Sequence, residues 1–108
     1  MAKFSATFSN GETITRNSDH AYRFAWAILN TETGKVETKG FSADRANAQK
    51  AAQARMPQDI SAKDKKRYAG VHKRLAADKG MTRDAWYEMI TADTRARLAV
   101  LKIEIVPL

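Results

Sequence analysis

The stretch AYRFAWAIL, residues 21–29, constrains the fold more than any other segment. Through residue 28, bulky side chains fall on every second position, and small or basic side chains occupy the positions between them. Such alternation is typical of a strand with one buried face, because successive side chains of a strand point to opposite sides. The bulky face comprises Tyr22, Phe24, Trp26 and Ile28. We expect these side chains to form core rather than an exposed platform for stacking bases.

An alanine-rich segment is expected to cover that core. Residues 43–55 contain six alanines, and small side chains let a helix lie close to a sheet whose own residues are bulky. Ser42 is a suitable N-cap, with Asp44 favourable in the first turn, and Pro57 ends the segment. The sequence therefore predicts a helix over residues 42–56.

Hairpins are predicted on the N-terminal side, over residues 1–41. Phe4, Ala6 and Phe8 alternate with polar residues, and Asn10-Gly11 then favours a tight type I′ turn before a return strand. The segment KVETKGF predicts a fourth strand, after a turn that ends at Gly34. Residues 97–106 alternate as a terminal strand does, although an extension of the preceding helix is also consistent with them.

Two more helices are predicted between these segments. Ser61 with Asp64 makes a short variant of the capping box, and Gly80 ends the helix over residues 61–79. Thr82 and Asp84 begin the next helix, so that residues 61–91 form a helical hairpin. The fold class is therefore α+β: a single domain, residues 1–108, with a mostly antiparallel sheet of four to five strands and about three helices.

Composition excludes several classes of protein. Cysteine is absent, which excludes disulfides and thiolate metal sites, and no apolar run approaches the length of a membrane helix. The opening residues lack the apolar core of a secretory signal, so we expect a cytoplasmic protein that does not bind membranes. The net charge of +7 favours an anionic partner.

The positive charge is concentrated in SAKDKKRYAGVHKRLAADKG, residues 61–80. This stretch has seven of the nineteen Lys and Arg residues and only two of the twelve acids. On a continuous helix, Tyr68, Val71, His72 and Leu75 would form an apolar core face. Lys63, Lys66, Arg67, Lys73 and Arg74 would lie opposite, around Gly70.

This basic face predicts a surface that contacts phosphates. Each neutralised phosphate releases counterions, so a few Lys and Arg contacts give affinity with little sequence information. A glycine inside a helix costs about 1 kcal/mol relative to alanine, and Gly70 therefore suggests close approach of a ligand to the backbone. The alternative is a solvated helix face, although such faces usually mix charges of both signs.

An aromatic strand, a turn ending in Gly34-Lys35, a strand ending in Gly40-Phe41 and an alanine-rich helix follow one another. This succession resembles the arm-type DNA-binding domain of tyrosine-family integrases, and the resemblance covers residues 3–56. In that family a three-stranded sheet backed by one helix enters the major groove. The resemblance implies a small binding protein of a phage or other mobile element. It also implies a groove-facing side made of Thr13, Thr15, Arg23, Ala25, Ala27, Lys35 and Lys39.

Other constellations carry less weight. Residues 72–90 have the outline of a helix-turn-helix, but its outward face would carry Asp84 and Glu88 toward phosphates, which favours a plain helical hairpin. His20 and His72 have no metal-ligand spacing, and no catalytic motif is present. The sequence therefore predicts no enzyme, no cofactor and no metal site.

Two functions remain as hypotheses. The first is a non-enzymatic basic protein that binds nucleic acid, DNA in preference to RNA, through the helix at 61–79, with Arg23, Lys35 and Lys39 as further contacts. The second is a phage-encoded, anti-CRISPR-like inhibitor that binds an acidic protein surface of a host nucleic-acid-handling complex. Exposed hairpin edges would also be compatible with a homodimer.

Overall fold

The computed structural model describes all 108 residues and confirms the α+β class, with five strands and four helices. The strands are β1 (Ala2–Thr7), β2 (Thr13–Ser18), β3 (Phe24–Asn30), β4 (Lys35–Ser42) and β5 (Leu101–Pro107). The helices are α1 (Arg45–Arg55), α2 (Ala62–Arg67), α3 (Ala69–Asp78) and α4 (Arg83–Val100). The chain divides into two compact units: Met1–Met56 with Val100–Leu108, the β-unit, and Pro57–Ala99, the helical unit.

The strands of the β-unit form two antiparallel sheets. One sheet has the order β4-β3-β5, and the hairpin β1-β2 is the other. The predicted terminal strand is therefore present as β5, while α4 continues as far as Val100, so the alternating segment over residues 97–106 contains the end of a helix and then a strand.

The central strand β3 is buried on both faces. Trp26 and Ile28 pack against Ala48 and Ala52 of α1, with Phe24 partly buried beside them, so three of the four predicted core residues face the alanine-rich helix. The indole of Trp26 lies 2.7 Å from the point where Gly40 would carry a Cβ, so glycine is needed there for close packing. Tyr22 differs from the expectation, because its ring packs on Phe4 of the hairpin at a centroid distance of 5.2 Å.

The second face of β3 is covered by the β1-β2 hairpin. Ala25 and Ala27 are completely buried in a cluster with Ala6, Phe8 and Ile14. The expectation that Ala25 and Ala27 face a DNA groove is therefore wrong, because their small side chains make room for another layer of protein.

The loop between β1 and β2 is longer than predicted. It spans residues 8–12, and only Gly11 has a positive φ, whereas a type I′ turn requires positive φ at two residues. Asn10 instead uses its side chain, which accepts a hydrogen bond from the Glu12 amide and donates one to the Gly34 carbonyl. The loop is thereby fixed to the turn after β3.

Two helix boundaries also differ from the prediction. Ser42 is the last residue of β4, and Asp44 is the N-cap of α1, since its side chain accepts a hydrogen bond from the Asn47 amide at 2.7 Å. Ser61 caps α2 as predicted, but the helix stops at Arg67 and a new one begins at Ala69. Tyr68 between them has φ −109° and ψ 24°, outside the α region.

The helical unit has little buried apolar surface. Ala76 is its only buried residue, and the half-buried Ala69 and His72 lie on the same side of α3. Tyr68, Val71 and Leu75 are exposed, so the prediction that these three residues form a core face is wrong. The inward side of α3 is therefore formed by Ala69, His72 and Ala76 rather than by the predicted apolar residues.

Candidate nucleic-acid interface

The predicted basic residues of the helical unit are divided between two helices. Lys63, Lys66 and Arg67 belong to α2, whereas Lys73 and Arg74 belong to α3, and all five are exposed. The expectation of one continuous helix over residues 61–79 is therefore wrong, because the helix is interrupted at Tyr68. The charge is presented instead by two short helices that follow each other directly.

None of these five side chains is compensated by an acid. Arg95 pairs with Asp59 at 2.6 Å, and the N-terminal amine pairs with Asp19 at 3.5 Å. Neither pair involves α2 or α3, whose bases therefore act together on an approaching anion. Such a single-sign surface raises the local concentration of anionic ligands.

Three cations of this unit, one of which is Arg67, lie over aromatic rings. The ammonium of Lys65 is 4.8 Å from the ring centroid of Tyr87, the guanidinium of Arg67 is 5.3 Å from Tyr68, and Lys79 is 6.0 Å from Trp86. A cation over a ring is attracted by the negative face of the π-system and keeps its full charge. These contacts orient the cations without removing them from the positive surface.

Two shallow grooves bring α4 into the same surface. Lys65, Lys66 and Arg83 line the first groove, with Tyr87 and the acidic Asp84 beside them. Lys73 and Arg83 line the second, together with Met81 and the hydroxyl-bearing Thr82. Arg83 therefore connects the bases of α2 with those of α3.

The role of Lys65 and Arg83 in this surface was not apparent from the sequence. Lys65 falls off the predicted basic face, and Arg83 belongs to a different helix, so only tertiary packing brings them together. The start of α4 itself was predicted correctly, since the Thr82 hydroxyl accepts a hydrogen bond from the Ala85 amide at 3.2 Å. The capping residue Thr82 therefore predicted where α4 begins, but it did not predict which bases of α2 and α3 lie beside Arg83.

Gly70 lies in the first turn of α3 and is exposed. No atom outside its immediate surroundings comes within 4 Å of the point where a Cβ would stand. The glycine is thus not required by packing, which leaves an open strip of backbone between the bases of α2 and Lys73. A ligand that approaches the backbone here would meet no side chain.

The predicted basic residues of the β-unit are not brought together in the same way. Arg23 precedes β3 and its amide bonds to Ser42, whereas Lys35 pairs with Asn30 at the opposite end of the same ladder. Lys39 lines a groove with Thr13, Thr15 and Arg16, which are residues of β2. These cations are therefore spread along the ladder.

An acid also lies among them. The Glu12 carboxylate accepts hydrogen bonds from Asn10 Nδ2 at 2.8 Å and from the Val36 amide at 2.7 Å. These bonds, with smaller contributions from Lys39 and Lys35, lower the pKa of Glu12 from its ordinary value of 4.5. A carboxylate that stays ionised next to both lysines weakens this region as a phosphate-binding surface.

The histidines and carboxylates are not clustered as metal ligands. His72 Nδ1 accepts a hydrogen bond from the Trp86 indole at 2.9 Å, which makes it a satisfied, half-buried side chain. No group of three or more His, Asp and Glu residues is arranged to hold a metal ion. None of the helices combines the length and the apolar character that crossing a membrane requires.

Comparison with known proteins found no matching family model, no similar curated protein and no similar solved structure. The geometry of the basic surface is therefore the main guide to function.

Proposed function

We propose that this protein is a non-enzymatic binding protein that contacts the phosphate backbone of duplex DNA through the basic surface of α2 and α3. The observation that carries the proposal is the set of four exposed bases that have neither an acidic nor an aromatic partner in the structure. These residues are Lys63, Lys66, Lys73 and Arg74. Lys65 and Arg83 add charge in the adjoining grooves.

Binding of this kind is driven mainly by release of counterions from DNA. Each phosphate that a Lys or Arg neutralises contributes about 0.9 to the slope of log affinity against log salt. Contacts to phosphates position a protein but carry no direct sequence information. The proposal therefore predicts binding to duplexes of any sequence, with affinity that falls steeply as salt is added.

The test is binding of the full chain to a labelled random-sequence duplex at several salt concentrations. The test variant changes Lys63, Lys66, Lys73 and Arg74 to alanine and leaves Arg67 in place over Tyr68. The control variant changes four exposed bases elsewhere to alanine, namely Lys3, Lys50, Arg55 and Lys102. Both variants lose the same net charge, so the comparison separates a specific surface from total charge.

We expect the test variant to lose affinity and about 3–4 units of salt slope, and the control variant to stay close to the unmodified chain. Equal losses in both variants would show that only total charge matters and would contradict the proposed surface. If the unmodified chain does not bind the duplex near physiological salt, the nucleic-acid proposal fails. The anti-CRISPR-like alternative, in which the basic surface binds an acidic protein, would then be the hypothesis to test.

A further inference from the structure

A groove in the β-unit runs between two strand edges, β2 on one side and β4 on the other. These strands are not neighbours in either sheet, so each has one edge that no strand of this chain pairs with. The groove has two adjoining parts, with volumes of about 420 and 350 Å³, and residues of both strands line each part. We call this space the edge groove. An unpaired edge is a template for a further strand unless the protein covers or blocks it.

The hydrogen-bond pattern decides which main-chain groups of β4 face the edge groove. The Leu108 amide donates to the Arg23 carbonyl, so the odd-numbered residues of β3 bond to β5 and the even-numbered ones to β4. The β4 partners of those even-numbered residues are Thr38, Gly40 and Ser42. The amides and carbonyls of Lys39 and Phe41 therefore point away from β3, toward the groove.

One outward amide of β4 already has an acceptor. The Val36 amide donates to Oε2 of Glu12 at 2.7 Å, so a side-chain carboxylate occupies the place that the carbonyl of a further strand would take. Asn10 donates to the same oxygen at 2.8 Å and fixes it there. An acid thus blocks the edge at Val36, while the edge at Lys39 and Phe41 stays open.

Two bases lie at this open end of the edge groove. Arg16 and Lys39 both line it, and neither is in an ion pair. Arg16 is on the same face of β2 as the buried Ile14, because alternate side chains of a strand share a face. Lys39 is on the same face of β4 as Phe41, which packs on the same apolar cluster as Ile14. A carboxylate here would be partly shielded from water, which strengthens its attraction to both bases.

We propose that the edge groove binds an extended segment of another protein by strand addition. The main chain of this segment pairs with the outward groups of Lys39 and Phe41. An Asp or Glu side chain of the segment bonds to Arg16 and Lys39. In this mode of recognition the main-chain hydrogen bonds supply affinity, and the side-chain contacts supply selectivity.

Charge favours a segment of another protein over a second copy of this chain. The five strands contain only two acids, Glu37 and Glu104, and the Glu104 carboxylate already accepts hydrogen bonds from the amide and the hydroxyl of Ser9. The strands β2 and β4 each have a net charge of +1, so pairing of two copies through these edges would bring like charges together. Nucleic acid is disfavoured as well, because the ionised Glu12 lies in the same groove.

The first test is selection of displayed random peptides of about nine residues, slightly longer than a typical strand, on the full chain without nucleic acid. We expect the enriched peptides to share alternating β-branched residues and an Asp or Glu at one fixed position. One of them is then synthesised, labelled and titrated by fluorescence anisotropy. No enrichment relative to an unrelated protein of the same net charge would overturn the proposal.

N-methylation of the synthesised peptide tests the main-chain pairing without any change to the protein. A methyl group replaces one amide hydrogen at a time, and only every second amide of an added strand faces β4. Methylation at those positions should weaken binding about tenfold, whereas methylation at the positions between them should change it little. A loss of affinity that does not follow a period of two would overturn strand addition.

The double variant Arg16→Gln with Lys39→Gln tests the acidic contact. It should bind the peptide about tenfold more weakly, but should match the unmodified chain for a peptide in which the acid is replaced by its amide. The control is Lys3→Gln with Lys102→Gln, which removes the same charge from exposed strand positions outside the groove. Equal losses in both double variants would show that only net charge matters and would overturn the site. Circular dichroism confirms that each variant is folded.

Sedimentation equilibrium of the free chain separates a foreign segment from a second copy. We expect a monomer at the concentrations used in the peptide titration. A dimer that the peptide dissociates would show that a second copy occupies the edge groove, and would overturn the choice of partner. Because no nucleic acid is present, all of these results are independent of the proposed DNA binding.

Discussion

The β-unit is stabilised internally by different interactions from those that stabilise the helical unit. Ten of the eleven buried apolar residues belong to the β-unit, and the eleventh, Ala76, belongs to the helical unit. The β-unit has an apolar cluster on each face of β3. The helical unit relies on polar and aromatic contacts, such as the hydrogen bond between Trp86 and His72 and the ion pair between Arg95 and Asp59.

This difference indicates a division of roles. Segments with few buried apolar contacts open at a lower free energy than segments in a core, and binding surfaces are often found in them. The helical unit has the exposed basic side chains without acidic partners, while the β-unit has the core. We therefore expect substitutions to affect folding mainly in the β-unit and DNA binding mainly in the helical unit.

The largest expected effect is the loss of a tryptophan from the β-unit core. Trp26 is 5% exposed, and Trp26→Ala should lower the free energy of unfolding by about 3–5 kcal/mol, the usual cost of such a cavity. The matched change in the helical unit is Trp86→Ala, which removes a half-buried ring and should cost less than half as much. Urea denaturation measures both, and equal costs would contradict the difference between the units.

Gly40→Ala should have the next largest effect. The new Cβ would lie 2.7 Å from the Trp26 indole, so the strand or the ring must shift, and such overpacking costs about 1–3 kcal/mol. Thermal denaturation should show a lower midpoint. An unchanged midpoint would mean that the close approach of β4 to Trp26 is not tight in solution.

Trp86→Phe tests the polar contact that links α3 to α4. Phenylalanine keeps most of the ring but cannot donate to His72 Nδ1, and the loss of a hydrogen bond costs about 0.5–1.5 kcal/mol. Amide hydrogen exchange should become faster in α3 and α4 and stay unchanged in β3. Faster exchange across β3 would indicate that both units open together.

Gly70→Ala should be mildly stabilising, by about 0.5–1 kcal/mol, because alanine favours the helix and the space around Gly70 is open. Replacing glycine by alanine should therefore lower the free energy of unfolding at Gly40 in the β-unit and raise it at Gly70 in the helical unit. Helix content by circular dichroism and the denaturation midpoint check the gain. If Gly70→Ala also weakens DNA binding, a ligand approaches the backbone there, and unchanged affinity would remove Gly70 from the interface.

The smallest expected effect concerns Glu12 in the hairpin loop. Folding lowers its pKa, so the ionised carboxylate stabilises the fold above its ordinary pKa of 4.5, and this contribution is lost as the pH falls through the lower folded value. Glu12→Gln should therefore reduce stability at neutral pH, and the difference should disappear in acid. Glu32→Gln changes the same charge in another exposed turn and serves as the control. A difference that grows in acid would contradict this assignment.

Local patterns in the sequence predicted the main strands and the alanine-rich helix, but not the break at Tyr68. Period-two alternation identified β3, and the pairing of Trp26 with small alanines of α1 followed from complementary size. The burial of Ala25 and Ala27 could not be predicted, because small residues on one face of a strand are equally consistent with an open face and with a covered one. Only the docking of the hairpin decides between them.

The candidate interface was predictable in part. The excess of basic residues over 61–80 is a property of composition, so it does not depend on whether the helix is continuous at Tyr68. The apolar spacing of Val71 and Leu75 was evident, but periodicity identifies an apolar face without showing what covers it. The contribution of Arg83 depends on how α4 packs, which no local pattern encodes.

The most direct test of this account is an NMR titration of the isotopically labelled chain with a short random-sequence duplex at low and physiological salt. We predict that amide shifts on addition of DNA concentrate in α2, α3 and the first turn of α4, shrink as salt is added, and leave β3 and α1 unchanged. Shifts concentrated in β1, β2 and β4, with α2 and α3 unaffected, would contradict the assignment of binding to the helical unit.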